Sequence, residues 1–115
     1  RTFGPKTKPS PEELEAFWTL VNYNDGRHIF HKLITYMSDR KDHRDRWVAA
    51  IDEAKVPVAL INGSFDPVSG AHMVARYKAL IANADVIELN DIGHYPQIED
   101  AQAVLGSVQT FLKAH

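Results

Sequence analysis

The chain contains no cysteine, so neither a disulfide framework nor a thiolate metal site is available to it. It has no excess of either charge: 13 Lys and Arg stand against 15 Asp and Glu, for a formal net charge of −2. A surface of that kind makes no case for nucleic acid or an anionic membrane as partner. No apolar run approaches the roughly 18–20 residues of a membrane span, and no signal-peptide pattern appears. Internal repeats and low-complexity tracts are missing as well. What is present is an ordinary globular composition, 44% apolar and 24% charged over 115 residues, enough for one small domain with one core. A reducing compartment suits such a chain, and a cytoplasmic location is expected. The opening RTFGPKTKPSP lacks a methionine and is polar and proline-rich, which suggests a linker or cut site and a piece of a longer protein.

Residues 1–9 read as irregular, punctuated by Gly4, Pro5 and Pro9. Ser10-Pro11-Glu12-Glu13 then predicts a helix start. Ser10 caps, Pro11 suits the first helical position, and Glu13 completes a capping box. Leu14, Phe17, Trp18 and Val21 continue at helical spacing, and Asn24-Asp25-Gly26 ends the helix. A second helix is expected over about residues 27–40, with Ile29, Phe30, Leu33, Ile34 and Met37 in one stripe. The charged stretch Asp39 to Arg46 leads into a third, about residues 43–54.

At Val56 the pattern changes. "VPVALING" is a short, nearly continuous apolar run ending in glycine, which suits a strand buried on both faces of a parallel sheet. A helix over about 70–82, a second strand "DVIELND" (85–91) and a last helix over about 98–113 complete the order. The second half is therefore β-α-β-α, an α/β layer pattern with a crossover helix. Two parallel strands make a poor sheet, so neighbours are expected from elsewhere: another part of the same protein or a strand-exchanged copy of the chain.

In open parallel sheets, ligands bind at the carboxyl ends of the strands. The loop after the first strand holds Asp66 and the loop after the second holds His94, both suited to proton chemistry. If the strands are neighbours, Asp66 can accept from one ring nitrogen of His94 and leave the other for a nucleophile or water. As a pair after successive strands they are preferred to the alternative of two unrelated turn residues, although turns favour Asp and Gly. Asp91, three residues before His94, is the second choice as its partner. His28 and His31, three apart on a helix, lack a third ligand, and no metal is expected. These two, His43 and His115 are expected to face solvent, and His72 to lie on a helix surface. Glu99 and Asp100 fit the first turn of the last helix, stabilised by its dipole.

"GSFDPVSG", followed 28 positions later, Asp66 to His94, by "IGHYPQIED", resembles the C-terminal part of an α/β-hydrolase. The similarity is strongest to the branch of haloalkane dehalogenases, epoxide hydrolases and mesoderm-specific-transcript-like hydrolases. The resemblance implies that Asp66 is the catalytic acid and His94 the catalytic base. It assigns residues 1–53 to a linker and helical cap segment and 54–115 to the β-α-β-α end of the hydrolase core. It further implies an apolar substrate pocket, for which Trp18, Tyr23, Tyr36 and Tyr95 are candidates, and no cofactor.

A nucleophile elbow, G-x-S-x-G or its aspartate counterpart, does not occur in these residues: no glycine stands two places after Ser64. The expected function is therefore the C-terminal part of a hydrolase of an ester, epoxide or similar small apolar substrate. It supplies the acid and histidine and is inactive without an N-terminal half. The alternative is a non-catalytic α/β module that binds a ligand or a partner chain.

Overall fold

The first helix, α1 (Pro11–Asn22), is set by its own amino end. In the computed structural model, which describes residues 2–115, the Ser10 hydroxyl accepts from the Glu13 N–H at 3.2 Å. The Glu13 carboxylate in turn accepts from the Ser10 N–H at 2.7 Å. Two amides with no partner inside the helix are thereby satisfied. After α1 the chain passes through a 3-10 segment, Tyr23–Ile29, in which Asn24 (φ 50°) and Asp25 (φ 60°) are left-handed. Their short polar side chains tolerate that conformation, which is why this pair ends the helix.

The stripe from Ile29 to Met37 predicts one helix, but the chain forms two short ones, α2 (Phe30–Leu33) and α3 (Tyr36–Asp42). Between them the Thr35 hydroxyl donates to the Lys32 carbonyl at 2.7 Å. The amides of Thr35, Met37 and Ser38 bond three residues back instead of four. A hydroxyl that competes for main-chain acceptors loosens a helix in a way apolar periodicity does not register. Helix α4 (Arg44–Asp52) follows.

Pro9–Ala49 form one unit; Ala50–His115, with the segment ending at Lys8, form the other. The second unit is α/β. Strand β1 (Ala59–Gly63), helix α5 (Ala71–Leu80) and strand β2 (Asp85–Leu89) make a parallel pair with a helical crossover. The register runs from Ala59 opposite Asp85 to Gly63 opposite Leu89. Both strands are shorter than their apolar runs. Pro57 has no amide to donate near the start of the first, and Asp91, left-handed at φ 61°, lies in the turn just after the second. The last helix divides into α6 (Pro96–Glu99) and α7 (Ala101–Ala114) at Asp100, whose carboxylate caps α7 by accepting from Ala103 N–H at 2.9 Å.

Among the described residues the sheet has these two strands alone, each with one open edge. Burial is concentrated at their carboxyl ends. Asn62, Gly63, Asp66, Gly70, Ile92 and Gly93 are buried there, together with Val74 on α5. A concavity of about 260 Å³ lies at the other end, against Val56, Val58, Tyr77, Ile81 and Phe111. Among the described residues no helix is long and apolar enough to cross a membrane.

Candidate active site

The pairing of β1 with β2 continues beyond the strands and locks the next two loops together. Ser64 N–H donates to the Leu89 carbonyl at 3.0 Å, its hydroxyl does so at 3.2 Å, and Phe65 N–H donates to the Ile92 carbonyl at 2.9 Å. Gly63 sits so close to the carbonyls of Ile92 and Gly93 that a Cβ would collide with both. Residues 28 apart in sequence are thus held at one height on one rim of the sheet.

Asp66 stands at that rim with its side chain only 4% exposed. Its Oδ1 accepts from the Val68 N–H at 2.8 Å, and its Oδ2 from the Ser69 hydroxyl at 2.6 Å and from His94 Nδ1 at 2.8 Å. Burial by itself would raise the carboxyl. The Ser69 hydroxyl, the His94 ring and the amides of Val68 and Ser69 outweigh it and hold the group at about 2, below its ordinary 3.8. An ionised carboxylate only accepts, so at neutral pH Nδ1 carries the proton and donates. In the neutral imidazole that tautomer leaves the lone pair on Nε2. The His94 side chain is 34% exposed, so the carboxylate faces inward and the imidazole opens outward. The Tyr95 ring stands edge-on to it, with centroids 5.0 Å apart. Such a pair can take a proton at Nε2 while the carboxylate stabilises the imidazolium.

Glu99 is a residue whose part the sequence did not disclose. The helix dipole accounts for an acid in this turn, but the side chain accepts four hydrogen bonds instead. Its Oε2 takes Gly93 N–H (2.7 Å), Gly4 N–H (2.8 Å) and the Thr7 hydroxyl (2.5 Å), and its Oε1 takes Tyr95 N–H (3.0 Å). Burial would raise this carboxyl too, and the Thr7 hydroxyl and the three amides bring it below its ordinary value. The Tyr95 bond is legible in principle, as an acid reaching back to the amide of an N-cap. Partners more than 90 residues away are not.

The other candidates fall in several places. Asp91 lies in the exposed turn and approaches Lys6 at 3.9 Å, and the carboxylate on His94 is that of Asp66. His72 is exposed on α5, with Nε2 3.1 Å from the Val68 carbonyl. Tyr95 also packs against Phe3, ring centroids 5.1 Å apart. Trp18, Tyr23 and Tyr36 belong to the helical unit. There the Trp18 carbonyl accepts from Asn22, Tyr23 caps α1 and Arg40 lies over the Tyr36 ring. Among the described residues no group of three acidic, histidine or cysteine side chains is gathered to hold a metal. His28 instead approaches Asp25 at 3.8 Å.

No family model and no solved structure matches the chain. Curated proteins do. The Mesoderm-specific transcript protein of Mus musculus is 33% identical over 114 residues, covering 97% of this chain and 34% of that protein. The Homo sapiens homolog is 35% identical over the same length, with the same coverage. The putative hydrolase LipZ of Mycobacterium tuberculosis (strain ATCC 25618 / H37Rv) is 38% identical over 103 residues, 90% of this chain and 36% of that protein. The chain spans about a third of the length of the curated relatives it matches. One of these relatives bears the name of a putative hydrolase, and the matches are consistent with the α/β-hydrolase superfamily.

Proposed function

We propose that the chain is the acid- and base-bearing part of an α/β-hydrolase that cleaves an ester, an epoxide or a similar small apolar substrate. The observation that carries the reading is the 2.8 Å bond between Asp66, all but buried, and Nδ1 of the accessible His94. In a serine enzyme His94 Nε2 takes the hydroxyl proton as the oxygen attacks the acyl carbon. It returns that proton to the leaving group as the carbon–oxygen bond breaks, and then activates the water that hydrolyses the acyl-enzyme. In an aspartate enzyme the carboxylate opens the substrate directly, and His94 takes its proton from the water that cleaves the resulting ester. Asp66 remains ionised in both routes and stabilises the imidazolium.

No elbow occurs in these 115 residues, so the proposal draws the nucleophile from another segment of a protein of the relatives' length. In the same reading residues 1–53 contribute a linker and helical cap, and 54–115 the end of the core sheet. Its open edges are then covered by strands of the same protein. Tyr95, whose ring stands edge-on to His94, is the proposed aromatic contact of the substrate, and the protein is cytoplasmic. The test is turnover by the complete protein of a p-nitrophenyl ester and of an aryl epoxide. His94→Ala should abolish whichever reaction the parent performs, and Asp66→Asn should reduce it by about 10⁴-fold through the wrong tautomer. Near-parental turnover by both variants would remove the assignment.

A further inference from the structure

Glu99 takes no part in the proton transfers above, yet its surroundings single it out. Of the four donors on its carboxylate, two are the amides immediately before and after His94: Gly93 N–H at 2.7 Å and Tyr95 N–H at 3.0 Å. The other two, Gly4 N–H and the Thr7 hydroxyl, lie on the arm of residues 2–8. That arm closes the remaining gap, because the N–H of His94 itself donates to the Thr2 carbonyl at 2.7 Å. Three consecutive amides are therefore held, two by Glu99 and one by the arm that Glu99 fastens. Gly93 lies so close to the arm that a Cβ there would meet the Thr2 carbonyl and the Gly4 amide. Loop residues ordinarily keep some freedom, whereas the backbone around this histidine is hydrogen-bonded at three consecutive amides.

We propose that Glu99 is a positioning residue for His94. By gripping the loop on both sides and tying the arm across it, its carboxylate fixes the direction in which the imidazole meets Asp66 and presents Nε2. Both oxygens of Glu99 already accept from protein donors, so its carboxylate serves the loop and the arm and not the proton transfers. The kinetic part of this proposal rests on the hydrolase reading; the structural part does not.

The variant is Glu99→Gln in the complete protein, compared with the parent and with Asp66→Asn. Gln keeps the shape but replaces one acceptor oxygen by a donor, which then faces an N–H. The expected result is a retained cooperative melt, a kcat lower by about 10- to 100-fold and a KM within about twofold, as a misplacement of about 1 Å produces. In ¹⁵N-histidine-labelled protein, the Nδ1–H proton resonance of His94, which Asp66→Asn should abolish through the wrong tautomer, should broaden or move upfield in Glu99→Gln. Thr7→Val, which removes one donor at the far side of the carboxylate, should give a smaller change of the same kind, about two- to fivefold in kcat. A folded Glu99→Gln with parental kcat and an unmoved resonance overturns the proposal. So does a loss of activity with an unmoved resonance, because the residue then acts by another route. Should Glu99→Gln fail to fold, Thr7→Val decides: no change in kcat or resonance overturns it. If His94→Ala keeps parental turnover, the hydrolase reading fails by itself, and the Nδ1–H resonance still decides the role of Glu99.

Discussion

Asp66 is where burial and charge meet, and the conflict has a measurable consequence. A carboxylate held at about 2 in the folded chain and near 3.8 when unfolded stabilises the fold fully above about pH 4. Between the two values the unfolded state binds more protons, so that stability is lost as pH falls through about 2. The side chain is almost completely buried, and the effect is on the order of 2 kcal/mol. Glu99 is shifted in the same direction, so its contribution is lost on the acid side as well. Asp66→Asn removes the Asp66 part. Unfolding free energies from urea titrations at pH 5 and pH 2 should therefore show the gap between parent and variant closing by about 2 kcal/mol. Parallel loss in both proteins would contradict the hydrogen-bond account. At this scale the pair was legible, because an acid and a histidine after successive apolar strands can be counted along the chain. Glu99 was not, because what defines it is where Gly4 and Thr7 arrive in space.

Elements whose ends are written in local chemistry were the legible ones. The capping box at Ser10 and Glu13, the Asn24-Asp25 stop and the β-α-β order all depend on neighbours within a few residues. The second helix departs from its apolar periodicity at Thr35, where a side chain competes with the ladder, and the last one at Asp100, where a cap starts a new helix. Helix α7 also offers a test of its own. Gly106 lies in its interior, exposed, and a Cβ there would meet nothing within 4 Å. Gly106→Ala should stabilise the protein by about 0.5–1 kcal/mol by reducing the freedom of the unfolded chain. A thermal melt checks it, and a lowered midpoint would mean that α7 is not a regular helix at that point.

For the whole molecule the decisive facts are two open strand edges and a small number of buried apolar side chains. Among the described residues, Val74, Ile81 and Ile92 are the buried hydrophobic ones, while Val56, Val58, Leu105 and Val108 of the same unit stay exposed. An edge with unpaired main-chain groups is a template for another strand. Purified alone, these 115 residues should self-associate at micromolar concentration in sedimentation velocity and bind a dye such as ANS. A monodisperse monomer that binds no dye would favour the self-sufficient module over a part of a larger sheet. This level was legible only as a shortage: two strands could be counted, but nothing in their residues names the neighbour.

The central claim is that His94, oriented by Asp66, is the base of a hydrolytic reaction. It is tested most directly by one rate comparison in the complete protein, the parent against His94→Ala, on whichever of p-nitrophenyl butyrate or styrene oxide the parent hydrolyses. With circular dichroism and melting unchanged, the variant should retain less than about one-thousandth of the parental kcat. A folded variant within about twofold of the parent would contradict the claim.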